Sequence, residues 1–162
     1  MYRQHHVENA SHAVELSFHP CLESVSALRR FLEVHYGRLD CDPRLISRMA
    51  VTVHELLENA AKYSSGGGSS LRVEVDPTQP RTLMVSVANN ADPSRLPELQ
   101  ETITELTTAP DPLDVYQRYL LRAATRDEGS GLGLARIFVE ANMNVKLEFQ
   151  DDRVCIKAVS GQ

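Results

Sequence analysis

Apolar residues along this chain switch between two periods, and the switches mark out its elements. Residues 14–18, VELSF, alternate apolar and polar and stop at Pro20, which predicts a short strand. From Glu23 to Tyr36 the spacing becomes helical, with Val25, Leu28, Phe31, Leu32 and Tyr36 as its apolar set. Gly37 and the Asp-Cys-Asp-Pro segment at 40–43 end that helix, and Pro43 suits the first turn of another. The second helix carries the clearest pattern. At about 100° per residue, Ile46, Met49, Ala50, Val53, Leu57 and Ala60 fall on one narrow face. It runs to Tyr63-Ser64, and Ser65-Gly66-Gly67-Gly68 reads as a helix-ending turn without a chemical role.

Leu71, Val73 and Val75, then Leu83, Val85 and Val87, alternate with polar residues on either side of Asp76-Pro77, which predicts an antiparallel hairpin over 70–88. Residues 92–128 are proline-punctuated and hold two helical patterns, near 94–106 and 112–124. In the second, Val115, Tyr119 and Leu120 have a core-like spacing, which predicts a packed helix with mobility at about 105–111 and 125–131. A glycine-rich turn then opens a short helix in GSGLGLARIFVEAN. Two strands close the chain, near 144–150 and 153–159, turning at Asp151-Asp152. This order predicts an α+β domain, a two-layer sandwich whose mixed, mostly antiparallel sheet is covered on one face by helices. It occupies 14–162 as a single domain after a polar segment at 1–13.

Composition narrows the function classes. The 162 residues are 42% hydrophobic and 24% charged, enough for one domain with a sizeable core. With no Trp, five Tyr and four Phe, that core must be mostly aliphatic. Seventeen Lys+Arg against 22 Asp+Glu leave a net charge of −5, which argues against non-specific binding to nucleic acid or to an anionic membrane. No window approaches the roughly 18 uncharged apolar residues of a membrane helix. The start, MYRQHHVENASH, lacks the apolar stretch of a secretory signal, so a cytoplasmic location is expected. Cys21, Cys41 and Cys155 are far apart and form no zinc spacing, which favours reduced thiols, and His5-His6 reads as a polar terminus.

Two segments carry candidate chemistry. In HELLENAAKYS, residues 54–64, Glu55, Asn59 and Lys62 lie on the face opposite the apolar stripe, spaced to bring their side chains together. Such a set suits a Mg²⁺–phosphate group: the Asn oxygen binds the hard cation, Lys meets phosphate oxygens and Glu orients or deprotonates a nucleophile. A solvated helix face carries the same residue types. Farther on, in Gly129-Ser130-Gly131-Leu132-Gly133-Leu134, clustered glycines let backbone N–H groups approach an anion, and the helix behind them offers its positive end. No Gly-Lys-Ser/Thr follows, so it is not a P-loop, and no strand directly precedes it as in a dinucleotide-binding turn.

Taken together, ELLENAAKYS and GSGLGLAR resemble the N-box and second glycine box of the Bergerat-fold (GHKL) ATPases, the gyrase, Hsp90, histidine kinase and MutL type. The resemblance covers about 14–159, with the lid region at about 92–131, and is strongest to the single-domain anti-sigma-factor serine kinases. It implies ATP and Mg²⁺ as ligands. Glu55 matches the general base, Asn59 the Mg²⁺ ligand and Lys62 a phosphate contact. Gly129, Gly131 and Gly133 match the hinge and phosphate cradle, with Ser130 and Leu132 inside the same box. It also implies a regulatory protein partner of the sigma-factor or anti-sigma-antagonist type, and a homodimer.

One box departs from the pattern. Where the family has Asp-x-Gly-x-Gly, whose Asp accepts a hydrogen bond from the adenine amino group, this chain reads Asn89-Asn90-Ala91-Asp92-Pro93. Asn89 still accepts through its amide oxygen, but the bond loses its charge assistance, a cost on the order of 1–2 kcal/mol. Replacement of the glycines by Ala91 and Pro93 costs more wherever the backbone needs a positive φ. Two readings stay open. One is a kinase that phosphorylates a Ser/Thr of its partner. The other is a module that captures a partner without nucleotide chemistry.

Overall fold

The structure, a computed structural model, describes residues 12–76, 82–125, 131–150 and 153–160. Strand β1 (His12–Phe18) leads into helices α1 (Leu22–Arg38) and α2 (Pro43–Tyr63). The hairpin β2 (Ser69–Val75) and β3 (Leu83–Asn89) follows, then a 3₁₀ turn at Pro93–Arg95 and helices α3 (Leu96–Thr108) and α4 (Pro112–Thr125). Helix α5 (Leu132–Val139) and strands β4 (Met143–Gln150) and β5 (Arg153–Ser160) complete the chain.

The strands form one open sheet in the order β1-β2-β3-β5-β4. Every neighbouring pair is antiparallel, so the sheet contains no parallel pairing among the described residues. Period-two alternation sorts its faces. The row Leu16, Leu71, Val87, Ile156, Leu147 runs across the helix-covered side, and Glu15, Arg72, Ser86, Lys157, Lys146 runs across the other. The core between sheet and helices is aliphatic, with Val53, Leu57, Leu71, Val73, Leu83 and Val85 all nearly inaccessible. Tyr36 is the large exception: its buried hydroxyl donates to the carbonyls of Val73 at 2.9 Å and His12 at 3.1 Å, stitching α1 to the first two strands. Burial pushes its pKa up to about 12.

Helix α2 starts as its sequence predicts, with Pro43 in the first turn and the Asp42 carboxylate accepting the Arg44 N–H at 2.8 Å. Its buried face is wider than the predicted stripe. Leu45, Thr52, Glu55 and Leu56 join Met49, Val53, Leu57 and Ala60, while Ile46 and Ala50 are only half-buried. The cause is position: α2 lies between α1, β3 and α5 and is covered on several sides.

Three expectations shift. Helix α3 runs to Thr108 rather than stopping near 106, because Leu106 is buried and Thr107 and Thr108 bond back to the carbonyls of Ile103 and Thr104, each at 2.8 Å. Phe31 and Leu120, placed inside by their spacing, are 48% and 42% exposed. Each lies a step of about 100° around its helix from the residue that meets the core, Leu32 and Tyr119 respectively. Cys21, Cys41 and Cys155 are free thiols. Among the described residues no helix is long and apolar enough to cross a membrane.

Candidate functional site

A cleft of about 620 Å³ opens where the ends of α2 and β3 meet α3 and the glycine turn. Val154 and Ile156 of β5 lie beside Asn89 of β3, Asn59 and Tyr63 come from α2, and Leu96, Leu99 and Thr102 come from the 3₁₀–α3 segment. Ala91, Arg95, Glu98, Gly131 and Leu134 complete the lining.

Asn89 sits where the sequence places it. It pairs with Val154, is 6% exposed and lines the cleft. Its Nδ2 donates to the Asn90 carbonyl at 3.3 Å, which leaves the amide oxygen to act as an acceptor. The Ser65 N–H donates to that same carbonyl at 2.8 Å, and Ser64 pairs with Ala91 in an isolated bridge. Asp92 then caps the 3₁₀ turn by accepting the Ser94 N–H at 2.9 Å, and Pro93 fills its first position. Among the described residues, positive φ occurs at Asp40, Asn142, Gly66, Gly67 and Gly131, so neither Ala91 nor Pro93 stands where glycine is needed. The conditional cost of losing those glycines is absent from this backbone. Beside them the Arg95 guanidinium lies 5.2 Å from the centre of the Tyr63 ring.

Glu55, Asn59 and Lys62 do not form the solvated cluster that their spacing predicts. Glu55 is 6% exposed, because α5 covers that side of α2. Gly133 makes the room: a Cβ there would stand 2.7 Å from Glu55 Oε2. On the other oxygen, Arg136 Nη1 donates to Oε1 at 2.6 Å. Burial raises the Glu55 pKa above the ordinary carboxylate range, and the charge of Arg136 opposes the rise. Asn59 is half-buried on the cleft wall, one turn away. Lys62 is exposed, with Nζ 2.8 Å from Glu58 Oε2. That i,i+4 pair holds the Glu58 pKa down and the Lys62 pKa up.

Of the second glycine box, Gly129 and Ser130 lie outside the described residues, as does Arg126. Gly131 takes φ +86° as the N-cap of α5, and a Cβ there would meet the Tyr119 ring at 2.6 Å. Leu132 is half-buried against the core. Tyr119 donates its hydroxyl to Glu105 Oε2 at 2.9 Å, and the Arg122 guanidinium lies 5.4 Å from the centre of its ring.

Arg136 and Tyr119 were not among the sequence candidates. Arg136 carried a readable signal as the single charged residue in LGLARIFV, since a lone charge in an apolar helix calls for a partner. Tyr119 carried none, because its contact with Gly131 joins residues distant in sequence. For a divalent cation, Asn59 supplies a side-chain oxygen on the cleft wall. No cluster of three or more His, Cys, Asp or Glu gathers among the described residues. That donor set fits Mg²⁺, which keeps several waters and takes one or two protein oxygens beside substrate phosphates.

Comparison with known proteins agrees with the fold. A chain of the crystal structure of the SiaB-SiaC complex from Pseudomonas aeruginosa superposes with a TM-score of 0.65 at 16% sequence identity, covering 89% of this chain and 88% of that one. No curated protein matches the sequence. Residues 18–156 match the histidine kinase-like ATPase domain. The chain therefore belongs to the histidine kinase-like ATPase domain family of the GHKL superfamily, whose members bind ATP, usually with Mg²⁺.

Proposed function

We propose that this protein is a regulatory kinase that transfers the γ-phosphoryl group of Mg-ATP to a serine or threonine hydroxyl of a protein partner. The observation that carries the reading is the Glu55 carboxylate, buried against Gly133 one helical turn from Asn59 on the cleft wall. Glu55 orients the partner hydroxyl and takes its proton as the hydroxyl oxygen bonds to the γ-phosphorus. The bond from that phosphorus to the β,γ-bridging oxygen breaks, and ADP leaves with the electron pair. Asn59 would hold Mg²⁺, which when bound neutralises charge on the phosphates. Asn89 would accept the adenine amino group through its amide oxygen, and Gly131 and Gly133 would let backbone N–H groups approach the phosphates.

The partner is a regulatory protein of the sigma-factor or anti-sigma-antagonist type. This agrees with the resemblance to anti-sigma-factor kinases and with a fold shared with a chain from a two-protein complex. The uncharged Asn89 and the Arg95–Tyr63 contact at the cleft favour the second reading, a domain that binds its partner without nucleotide chemistry. Incubating the protein with [γ-³²P]ATP and Mg²⁺ in an extract of its source cells separates the two. The kinase reading expects a labelled phosphoserine or phosphothreonine protein that appears only when the chain is added. Identical labelling with and without it overturns that reading.

A further inference from the structure

Behind Glu55, a chain of polar contacts joins three helices. Arg136 on α5 sends Nη1 to Glu55 Oε1 at 2.6 Å and Nε to Glu140 Oε1 at 3.2 Å. The Tyr116 hydroxyl of α4 donates to the same Glu140 oxygen at 2.5 Å. The register of α5 against α2 is fixed separately. Arg48, two turns before Glu55, donates to the carbonyls of Ala141 and Asn142 at 2.6 and 2.5 Å.

The two ends of this chain differ in environment. Arg136 and Glu140 have side chains 41% and 35% exposed, and an ion pair so open to water contributes little to stability. Glu55 has a side chain 8% exposed, so the direction of its guanidinium partner fixes where its carboxylate points. Its other oxygen, Oε2, has room only because position 133 is glycine, since a Cβ there would stand 2.7 Å away. Arg136 thus bridges Glu55 and Glu140 through two different nitrogens, Nη1 and Nε. While Tyr116 is docked it occupies part of the hydrogen-bonding capacity of Glu140. Withdrawal of α4 would free the Glu140 carboxylate from Tyr116 and loosen the group that holds Arg136 Nε while Nη1 meets Glu55.

We propose that Arg136 is a positioning residue for Glu55, and that Glu140 and Tyr116 make the docking of α4 a condition of that position. The proposal rests on the reading of Glu55 as the base. It gives the segment between the two site motifs a route to Glu55 that does not pass through the nucleotide. The charged and titratable groups facing Glu55 are His54, Glu58 and Lys62 from its own helix, Arg136 from α5 and Tyr116 from α4. Of these, Arg136 exerts the largest charge effect on it.

The test is a ¹³C-carboxyl NMR titration of Glu55, assigned by its loss in Glu55→Gln, on the wild type, Arg136→Ala, Arg136→Lys and Tyr116→Phe. Phosphoryl transfer and Mg-ATP affinity are measured on the same proteins. In Arg136→Ala the Glu55 midpoint should move upward, transfer at saturating nucleotide should fall by about tenfold or more, and affinity should change by less than about twofold. Arg136→Lys should recover part of both the midpoint and the transfer, and Tyr116→Phe should move both in the same direction as Arg136→Ala by less. An unmoved Glu55 midpoint in Arg136→Ala, or an affinity loss that accounts for the loss of transfer, overturns the proposal. An unmoved midpoint in Tyr116→Phe overturns the link to α4. If the wild type transfers no phosphoryl group, the kinase reading fails and the titrations alone decide whether Arg136 positions Glu55.

Discussion

Glu55→Gln is expected to lower phosphoryl transfer by about 10²–10⁴-fold, the usual range for loss of a general base. The same change should leave the protein at least as stable as the wild type near neutral pH. Gln keeps the size that fits against Gly133 and an oxygen for Arg136, and loses the negative charge and with it the proton acceptor. The stability half follows from the direction of the pKa shift. Burial holds the Glu55 carboxyl above its ordinary value of 4.5, so the folded state keeps this proton more tightly than the unfolded chain does. As pH rises from 4.5 through the raised value, the unfolded chain ionises first and the wild type loses stability across that window. Gln has no such loss. Denaturation of both proteins at about pH 4 and about pH 7.5 should show the variant gaining relative to the wild type on going to the higher pH. Retained transfer would remove Glu55 from the chemistry. A variant that is weaker only at neutral pH would mean that the Arg136 attraction outweighs the burial cost.

Gly131→Ala should produce the largest loss of stability of any single methyl addition at the site, about 2–4 kcal/mol. Two costs combine. Alanine resists the φ of +86°, and its Cβ would stand 2.6 Å from Tyr119 Cε1 and 3.2 Å from Thr102 Cγ2. Tyr119 cannot yield cheaply, since its ring is buried and its hydroxyl is tied to Glu105. Relief should come from a smaller partner: combined with Tyr119→Leu, the substitution should cost clearly less than the sum of the two single changes. Strict additivity in urea denaturation would show that the ring and the glycine do not press on each other.

The fold was largely legible because its signals are local. Alternation in β2 and β3, the helical stripe of α2 and the proline and glycine punctuation each report on a few neighbouring residues, and all agree with the sheet and helices observed. The site was legible as two motifs but not as an arrangement. Spacing on α2 put Glu55 on the solvent side because periodicity cannot know that α5 packs there, or that Gly133 leaves space for a carboxylate. Lys62 looked available because its i,i+4 partner Glu58 was not weighed against a ligand. Arg136 was signalled only as a lone charge in an apolar helix, with its partner unspecified, and Tyr119 became visible only through its contact with Gly131. In the other direction, Ala91 and Pro93 looked costly by comparison with glycines, yet the chain at that point runs through a bridge and a capped turn that need no positive φ.

The central claim, that this cleft is a Mg-nucleotide site, is tested most directly by calorimetric titration of the wild type and Asn89→Asp with ATP, with and without Mg²⁺. The account predicts Mg²⁺-dependent binding to both proteins, about tenfold tighter in the aspartate variant, where the adenine amino group meets a charged acceptor. No heat from either protein at about millimolar nucleotide would contradict it.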